Sequence, residues 1–264
     1  MDSPTGIISH MRQIFLIGIG AGDPQHLTLQ AIEAMQAVDV FFFLDKREET
    51  HDLIAARQAL FQRHARPDAQ AMVLNDPPRA QSPNYHQDVQ HWHEQRAERL
   101  EEALMTSLSE SGVGALLVWG EPSIYDSAMR LMRQIEARGQ CAIQTQVIPG
   151  ISSIQALAAA FAEPLNRIGE PIHITTGRAL KAGFPADLDA VVVMLDGECS
   201  FTHVMQPEME IFWGAYLGTP DQLLIQGPVM QVADEIITTR QQARARHGWI
   251  MDTYLLRRPL RLKA

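Results

Sequence analysis

QIFLIGIGAGDPQHLTLQAIEAM, residues 13–35, is the stretch from which the fold is read. Ile14-Phe15-Leu16-Ile17 is an apolar run of strand length, and Gly18, Gly20 and Gly22 then break it before Asp23-Pro24. Glycine lets the backbone turn through positive φ and lets other atoms come close where a Cβ would stand. Proline stiffens the turn and removes a donor. A helix follows around Thr28–Ala37, then the unbroken apolar run Val40–Leu44, which suits a strand buried on both faces.

The pattern recurs. Ala115-Leu116-Leu117-Val118 runs into Trp119-Gly120-Glu121-Pro122-Ser123-Ile124-Tyr125, and Asp126 or Ser127 is placed to cap a helix over Ser127–Ala137. The strand Cys141–Val147 leads to a third turn, Pro149-Gly150-Ile151-Ser152-Ser153, opening an alanine-rich helix that ends near Phe161. Ser152 and Ser153 there either cap the helix or bind a small ligand at its N-terminus. Strands alternating with helices predict an α/β protein with a parallel sheet covered on both faces. Glycine turns at strand carboxyl ends, far apart in sequence, point to one small-molecule site assembled from distant segments.

Between these segments, Lys46–Ser111 is largely polar, with a helical pattern at Asp52–Phe61, a short strand at Ala71–Leu74 and a charged helix over Tyr85–Ser109. The break Glu163-Pro164-Leu165-Asn166-Arg167 predicts a boundary. It divides the chain into an N-terminal α/β domain, 11–163, and a strand-richer α/β domain, 164–264. Strands are expected there at Pro171–Thr176, Val191–Leu195, Ile211–Leu217 and Trp249–Leu256. Helices are expected near Phe201–Met205, Pro220–Leu224 and Val229–Arg240.

With 46% hydrophobic residues the 264-residue chain has enough apolar material for a sizeable core. Its formal charge of −9 disfavours a general nucleic-acid surface, which needs phosphate-neutralising basic stripes. Cys141 and Cys199 form neither a disulfide framework nor a CxxC metal site, and a reduced cytoplasmic setting fits. The apolar runs are too short to span a bilayer, and Met1–Gly6 lacks the features of a signal peptide. His91-Trp92-His93 looks like a metal pair, but residues two apart on a helix point about 200° from each other, so no metal is expected. The first turn also invites comparison with the dinucleotide fingerprint. The chain has GxGxG, with Asp23 at the third fingerprint position, and a pyrophosphate disfavours a carboxylate at the helix mouth. Asp45 falls near the ribose-binding offset and keeps a nicotinamide oxidoreductase as the alternative.

GIGAGDPQHLTLQAIEAM, WGEPSIYDS, VIPGISSIQALAAAF, ITTGR, VVVML and GTPDQLLIQGPV occur in the order found in the tetrapyrrole (corrin/porphyrin) methyltransferases, which the chain resembles from about Gln13 to Glu235. LDKREE, WHEQRAE and VWGEPSIYDSAMRLM resemble a deacetylating corrin-ring branch of that family. The resemblance implies two α/β domains with the cofactor in the cleft between them, and a homodimer. It implies S-adenosyl-L-methionine as methyl donor, S-adenosyl-L-homocysteine as product, and an anionic tetrapyrrole, precorrin-5, as acceptor. The expected reaction methylates C-1 with loss of acetate; methylation at another ring carbon is the family alternative. Carried over position by position, the cofactor residues are Pro24, Trp119, Gly120, Glu121, Ile124, Tyr125, Ser152, Ser153, Met194 and Leu217. The chain departs from the family in having Glu121 where many members have Asp, Trp119 where they have Gly, and Ala21 in place of a frequent proline. Asp45 is the expected base, its bland alternative being a helix cap or surface charge. Arg178, then Lys46 and Arg47, are the expected partners of substrate carboxylates.

Overall fold

The computed structural model describes residues 11–45, 51–77 and 85–259. The described residues form two compact units, one within 11–20 and 24–150, the other within 21–23 and 151–259.

In the first unit, strands β1 (Arg12–Gly18), β2 (Val40–Asp45), β3 (Gln70–Asn75), β4 (Val113–Val118) and β5 (Ile143–Ile148) lie in the order β3-β2-β4-β1-β5. Every pairing is parallel, as the alternation predicts. Helices α1 (Leu29–Ala37), α2 (His51–His64), α3 (Tyr85–Ser107) and α4 (Ala128–Arg138) supply the crossovers. The two faces have separate cores. Leu16, Phe42, Leu116 and Val118 pack with Leu100 and Leu104 of α3 and Leu131 and Ile135 of α4. Ile17, Phe41, Phe43 and Leu117 pack with Met35 of α1 and Leu60 of α2. Alternate residues of one apolar strand thus feed opposite layers, the reason such strands carry no polar alternation. Helix α4 buries Ala128, Leu131, Met132 and Ile135, a single stripe at helical spacing, and ends on Gly139 at φ +67°.

The second unit is a mixed sheet ordered β6-β7-β10-β8-β9, from β6 (Ile172–Thr176), β7 (Ala190–Met194), β8 (Glu210–Ala215), β9 (Leu223–Pro228) and β10 (Asp252–Arg257). Only β6–β7 is parallel; β10 pairs antiparallel with β7 and β8, and β8 with β9. Helices α5 (Ser153–Phe161), α6 (Gly177–Leu180) and α7 (Val229–His247) complete it.

Two expectations are corrected. Pro220–Leu224 is a turn followed by the start of β9, an edge strand whose residues alternate in burial from Leu223 to Pro228. Pairing with β8 decides that segment, and a short apolar run does not reveal such pairing. The break at Glu163–Arg167 does not divide the units, because α5 packs on β8 and β10 and belongs with the second sheet.

Candidate functional site

In the first unit the glycine turns meet at the carboxyl ends of β1, β4 and β5. A Cβ on Gly18 would stand 2.6 Å from the nitrogen of Gly150 and 2.9 Å from the carbonyl oxygen of Gly120, and one on Gly150 would stand 2.8 Å from the Cα of Gly18. Gly20 and Gly120 exchange backbone hydrogen bonds of 3.3 and 2.8 Å in an isolated antiparallel bridge. Both have positive φ, +82° and +70°. The glycines are therefore required by one another's backbones, a demand that exists before any ligand is considered.

Glu121 holds this arrangement. One carboxylate oxygen accepts the N–H of Ser123 at 2.9 Å and the other the N–H of Gly150 at 2.7 Å, tying the β4 turn to the β5 turn. Burial pushes its pKa up, but the donors of Gly150 and Ser123 outweigh this and hold the carboxyl below its ordinary value. Trp119 is half-buried against the core of Ile19, Met35 and Phe43, so the ring that replaces the family glycine packs inward. Ile124 is half-buried, and Tyr125 is 46% exposed at φ +52°, a conformation a bulky residue adopts only where its surroundings impose it. Asp126 supplies the cap to α4, its Oδ1 accepting the N–H of Ala128 at 2.6 Å. Pro24 begins an exposed 3-10 turn, Pro24–His26. Asp45 is the last residue of β2, in register with Asn75. Its side chain lies outside the described residues, as do Lys46 and Arg47 altogether.

The second unit holds the remaining candidates. Ser152 caps α5 by accepting the N–H of Ile154 at 3.1 Å, in a capping box with Gln155. Ser153 Oγ accepts the hydroxyl of Thr253 at 3.0 Å. Ser152 is thus the helix cap, whereas the Ser153 hydroxyl bonds to Thr253 of β10. Met194 ends β7 in register with Thr176, and Leu195 after it is 65% exposed at φ +52°. Leu217 is buried beside Gly214, where a Cβ would stand 2.7 Å from its Cδ2. Tyr216 before it has φ +49° and Gly218 after it +77°. The tip of the first turn, Ala21–Asp23, belongs here too: a Cβ on Gly22 would meet Leu217 O at 2.7 Å and Thr219 Cγ2 at 2.6 Å. Arg178 is exposed on α6.

Sequence reasoning missed the buried carboxylate that fixes the Met194 segment. Asp196, 4% exposed, accepts the hydroxyls of Tyr254 (2.6 Å) and Ser200 (2.8 Å) and the N–H groups of Glu198 (3.0 Å) and Ser200 (2.6 Å). Burial pushes its pKa up and these four donors together bring it below the usual value. Arg240 donates to the carbonyl of Asp196 at 2.6 Å and pairs with Asp252 at 2.9 Å. Gly177 lies against the Asp196 carboxylate, leaving no room for a Cβ. A lone aspartate after VVVML carries no signal of this role; of its three partner residues Glu198 and Ser200 are near in sequence, and Tyr254 joins them only on folding.

Among the described residues, no three His, Cys, Asp or Glu side chains are grouped to hold a metal, and no helix is long and apolar enough to cross a membrane.

Comparison with known proteins adds four findings. The family profile of the tetrapyrrole (corrin/porphyrin) methylases matches residues 13–233. The chain is 46% identical over 250 residues to a precorrin-6A synthase [deacetylating] from Sinorhizobium sp, covering 94% of this chain and 96% of that one. The crystal structure of a cobalamin synthesis related protein (CobF) from Corynebacterium diphtheriae superposes with a TM-score of 0.82 at 39% identity, covering 94% and 98% of the two chains. A uroporphyrin-III C-methyltransferase from Thermus thermophilus, solved with S-adenosyl homocysteine, shares the fold at a TM-score of 0.58 and 16% identity, over 92% of this chain and 91% of that one.

Proposed function

Because the chain belongs to the tetrapyrrole (corrin/porphyrin) methylase family, we propose that it transfers a methyl group from S-adenosyl-L-methionine to C-1 of precorrin-5, with loss of acetate, giving precorrin-6A and S-adenosyl-L-homocysteine. The observation that carries this reading is the 46% identity to the deacetylating precorrin-6A synthase over nearly the full length of both chains. Relatives named for methylation at C(20) and C(11) are 24% and 22% identical. The uroporphyrin-III methyltransferase solved with S-adenosyl homocysteine supports the choice of cofactor.

Methyl transfer from a sulfonium is an in-line displacement, so the protein's task is to align donor and acceptor in a site free of competing water. The residues assigned to the cofactor are Pro24, Trp119, Gly120, Glu121, Ile124, Tyr125, Ser152, Ser153, Met194 and Leu217. With the Glu121 carboxylate and the Ser152 and Ser153 hydroxyls already bonded within the protein, these three act through their main chain. Asp45 is the base that directs deacylation, and Arg178, Lys46 and Arg47 bind substrate carboxylates. The enzyme works in the cytoplasm as a homodimer.

Mass spectrometry of the product formed from precorrin-5 and labelled cofactor should show one methyl gained and one acetyl lost. A methyl gained with the acetyl kept would move the reaction to another ring carbon. In Asp45→Asn, cofactor binding should survive while acetate release falls about a hundredfold or more; unchanged turnover would remove Asp45 from the chemistry.

A further inference from the structure

The parallel sheet opens between two of its strands. β2 and β4 pair only at Val40–Gly114 and Phe41–Ala115. Yet β2 keeps register with β3 as far as Asp45–Asn75, and β4 with β1 as far as Val118–Gly18. Beyond Phe41 the two neighbours part. The chain also leaves them in opposite directions, β2 through α2 to β3 at one edge and β4 through α4 to β5 at the other. Diverging connections of this kind leave a ligand crevice at the carboxyl ends of the strands.

A crevice of about 40 Å³ lies there, lined by Phe42, Leu44, Leu116 and Leu131 and by four polar side chains, Arg57, Arg96, Asp126 and Ser127. Arg57 reaches in from α2. Its Nε donates to the carbonyl of Leu117 at 3.0 Å and its Nη1 to that of Leu53 at 3.3 Å. Among the described residues its Nη2 has no hydrogen-bond partner. Arg96 of α3 is 2% exposed, stacks on Trp92 at 4.4 Å, pairs with Asp76 at 2.6 Å and donates to Ser127 Oγ at 2.9 Å.

The negative groups do not match the positive ones in availability. Asp76 is engaged by Arg96, and Asp126 shares its charge with the N-terminus of α4 through Ala128. Burial lowers the pKa of Arg57 by more than the attraction of Asp126 restores. A space of this size holds a water, and the crevice is half open, so a carboxylate entering from its mouth meets the bidentate preference of a guanidinium, as water does not.

We propose that this crevice binds one small carboxylate, gripped by Arg57 with the Arg96–Ser127 pair behind it. Binding of the anion rests on the geometry alone. Its source rests on the methyltransferase reading: either a carboxylate arm of the tetrapyrrole or the acetate it releases.

The test uses the full chain and carbon-13 acetate, followed by NMR line broadening. Wild type should bind acetate at millimolar concentration, and both Arg57→Gln and the crevice-filling Ala128→Met should weaken it about tenfold or more. Binding of S-adenosyl-L-homocysteine should stay within about twofold in both variants, showing that each is folded. No acetate binding up to about 100 mM in the wild type, or equal binding in both variants, would overturn the site. Kinetics then separate the sources. If a substrate arm occupies the crevice, acetate competes with precorrin-5 and Arg57→Gln raises KM with kcat held. If released acetate occupies it, inhibition is noncompetitive and Arg57→Gln relieves it. Because acetate binding is read without turnover, a chain that failed to methylate precorrin-5 would still answer the question about the crevice.

Discussion

Gly150 and Glu121 show how much of the candidate site is structural before it is chemical. Gly150→Ala places a methyl against the backbones of Gly18 and Gly120, neither of which has a flexible end to move aside. We expect a loss of about 2–4 kcal/mol in denaturant unfolding, and Gly18→Ala added to it should cost less than the sum, because the shift that admits one methyl makes room for the other. Full additivity would mean that the turns relax independently. Glu121→Gln keeps one acceptor and turns an amide N–H toward a donor, so it should cost about 1–3 kcal/mol at neutral pH. The sign with pH follows from the lowered folded pKa. The stabilisation is complete above the ordinary carboxylate range and is lost as pH falls through the folded value. Wild type and variant should therefore converge in stability on acidification; a constant gap would show that charge is not what Glu121 contributes. Sequence located the glycines, since positive φ and close approach leave a mark in residue type. It did not show that their neighbours are each other, nor that the glutamate binds two N–H groups, because one of its two donors lies at Gly150, far along the chain.

Among elements, the Asp196 cluster governs how β7 ends. Its carboxylate draws in Tyr254 of β10 and Ser200, and the carbonyl is held by Arg240 of α7, so Leu195 keeps φ +52° with its side chain exposed. Burial and the adjacent Asp196 charge both push the Tyr254 hydroxyl's pKa up, so it remains a donor at any working pH. Tyr254→Phe removes that donor and should raise the dissociation constant of S-adenosyl-L-homocysteine about five- to tenfold in calorimetry while the protein stays folded. An unchanged constant would detach the Met194 segment from cofactor binding. Strand β7 was legible as an apolar run and α5 as a capped helix, because periodicity and capping are local. β9 was not: Leu223–Pro228 becomes a strand by pairing with β8, and Pro220 suggested a helix start where the chain makes a turn.

For the whole molecule, the α/β class followed from the order of strands, turns and helices, but the division into units did not. Proline at 164 marks the end of a helix, whereas membership is decided by the sheet on which α5 packs. Residues 151–264 expressed alone should therefore retain α5 yet lack Ala21–Asp23, leaving the Leu217–Thr219 turn uncovered. We expect that fragment to unfold several degrees below the intact chain by circular dichroism, and an equal midpoint would show the short segment to be dispensable. The seating of Gly22 against Leu217 and Thr219 also has a consequence for synthesis. Ala21–Asp23 leaves the ribosome nearly two hundred residues before its seat is made, at about 5–20 residues per second. The first turn of the nascent chain waits, exposed, while the sheet behind it forms, and it closes only after the Leu217 turn has emerged.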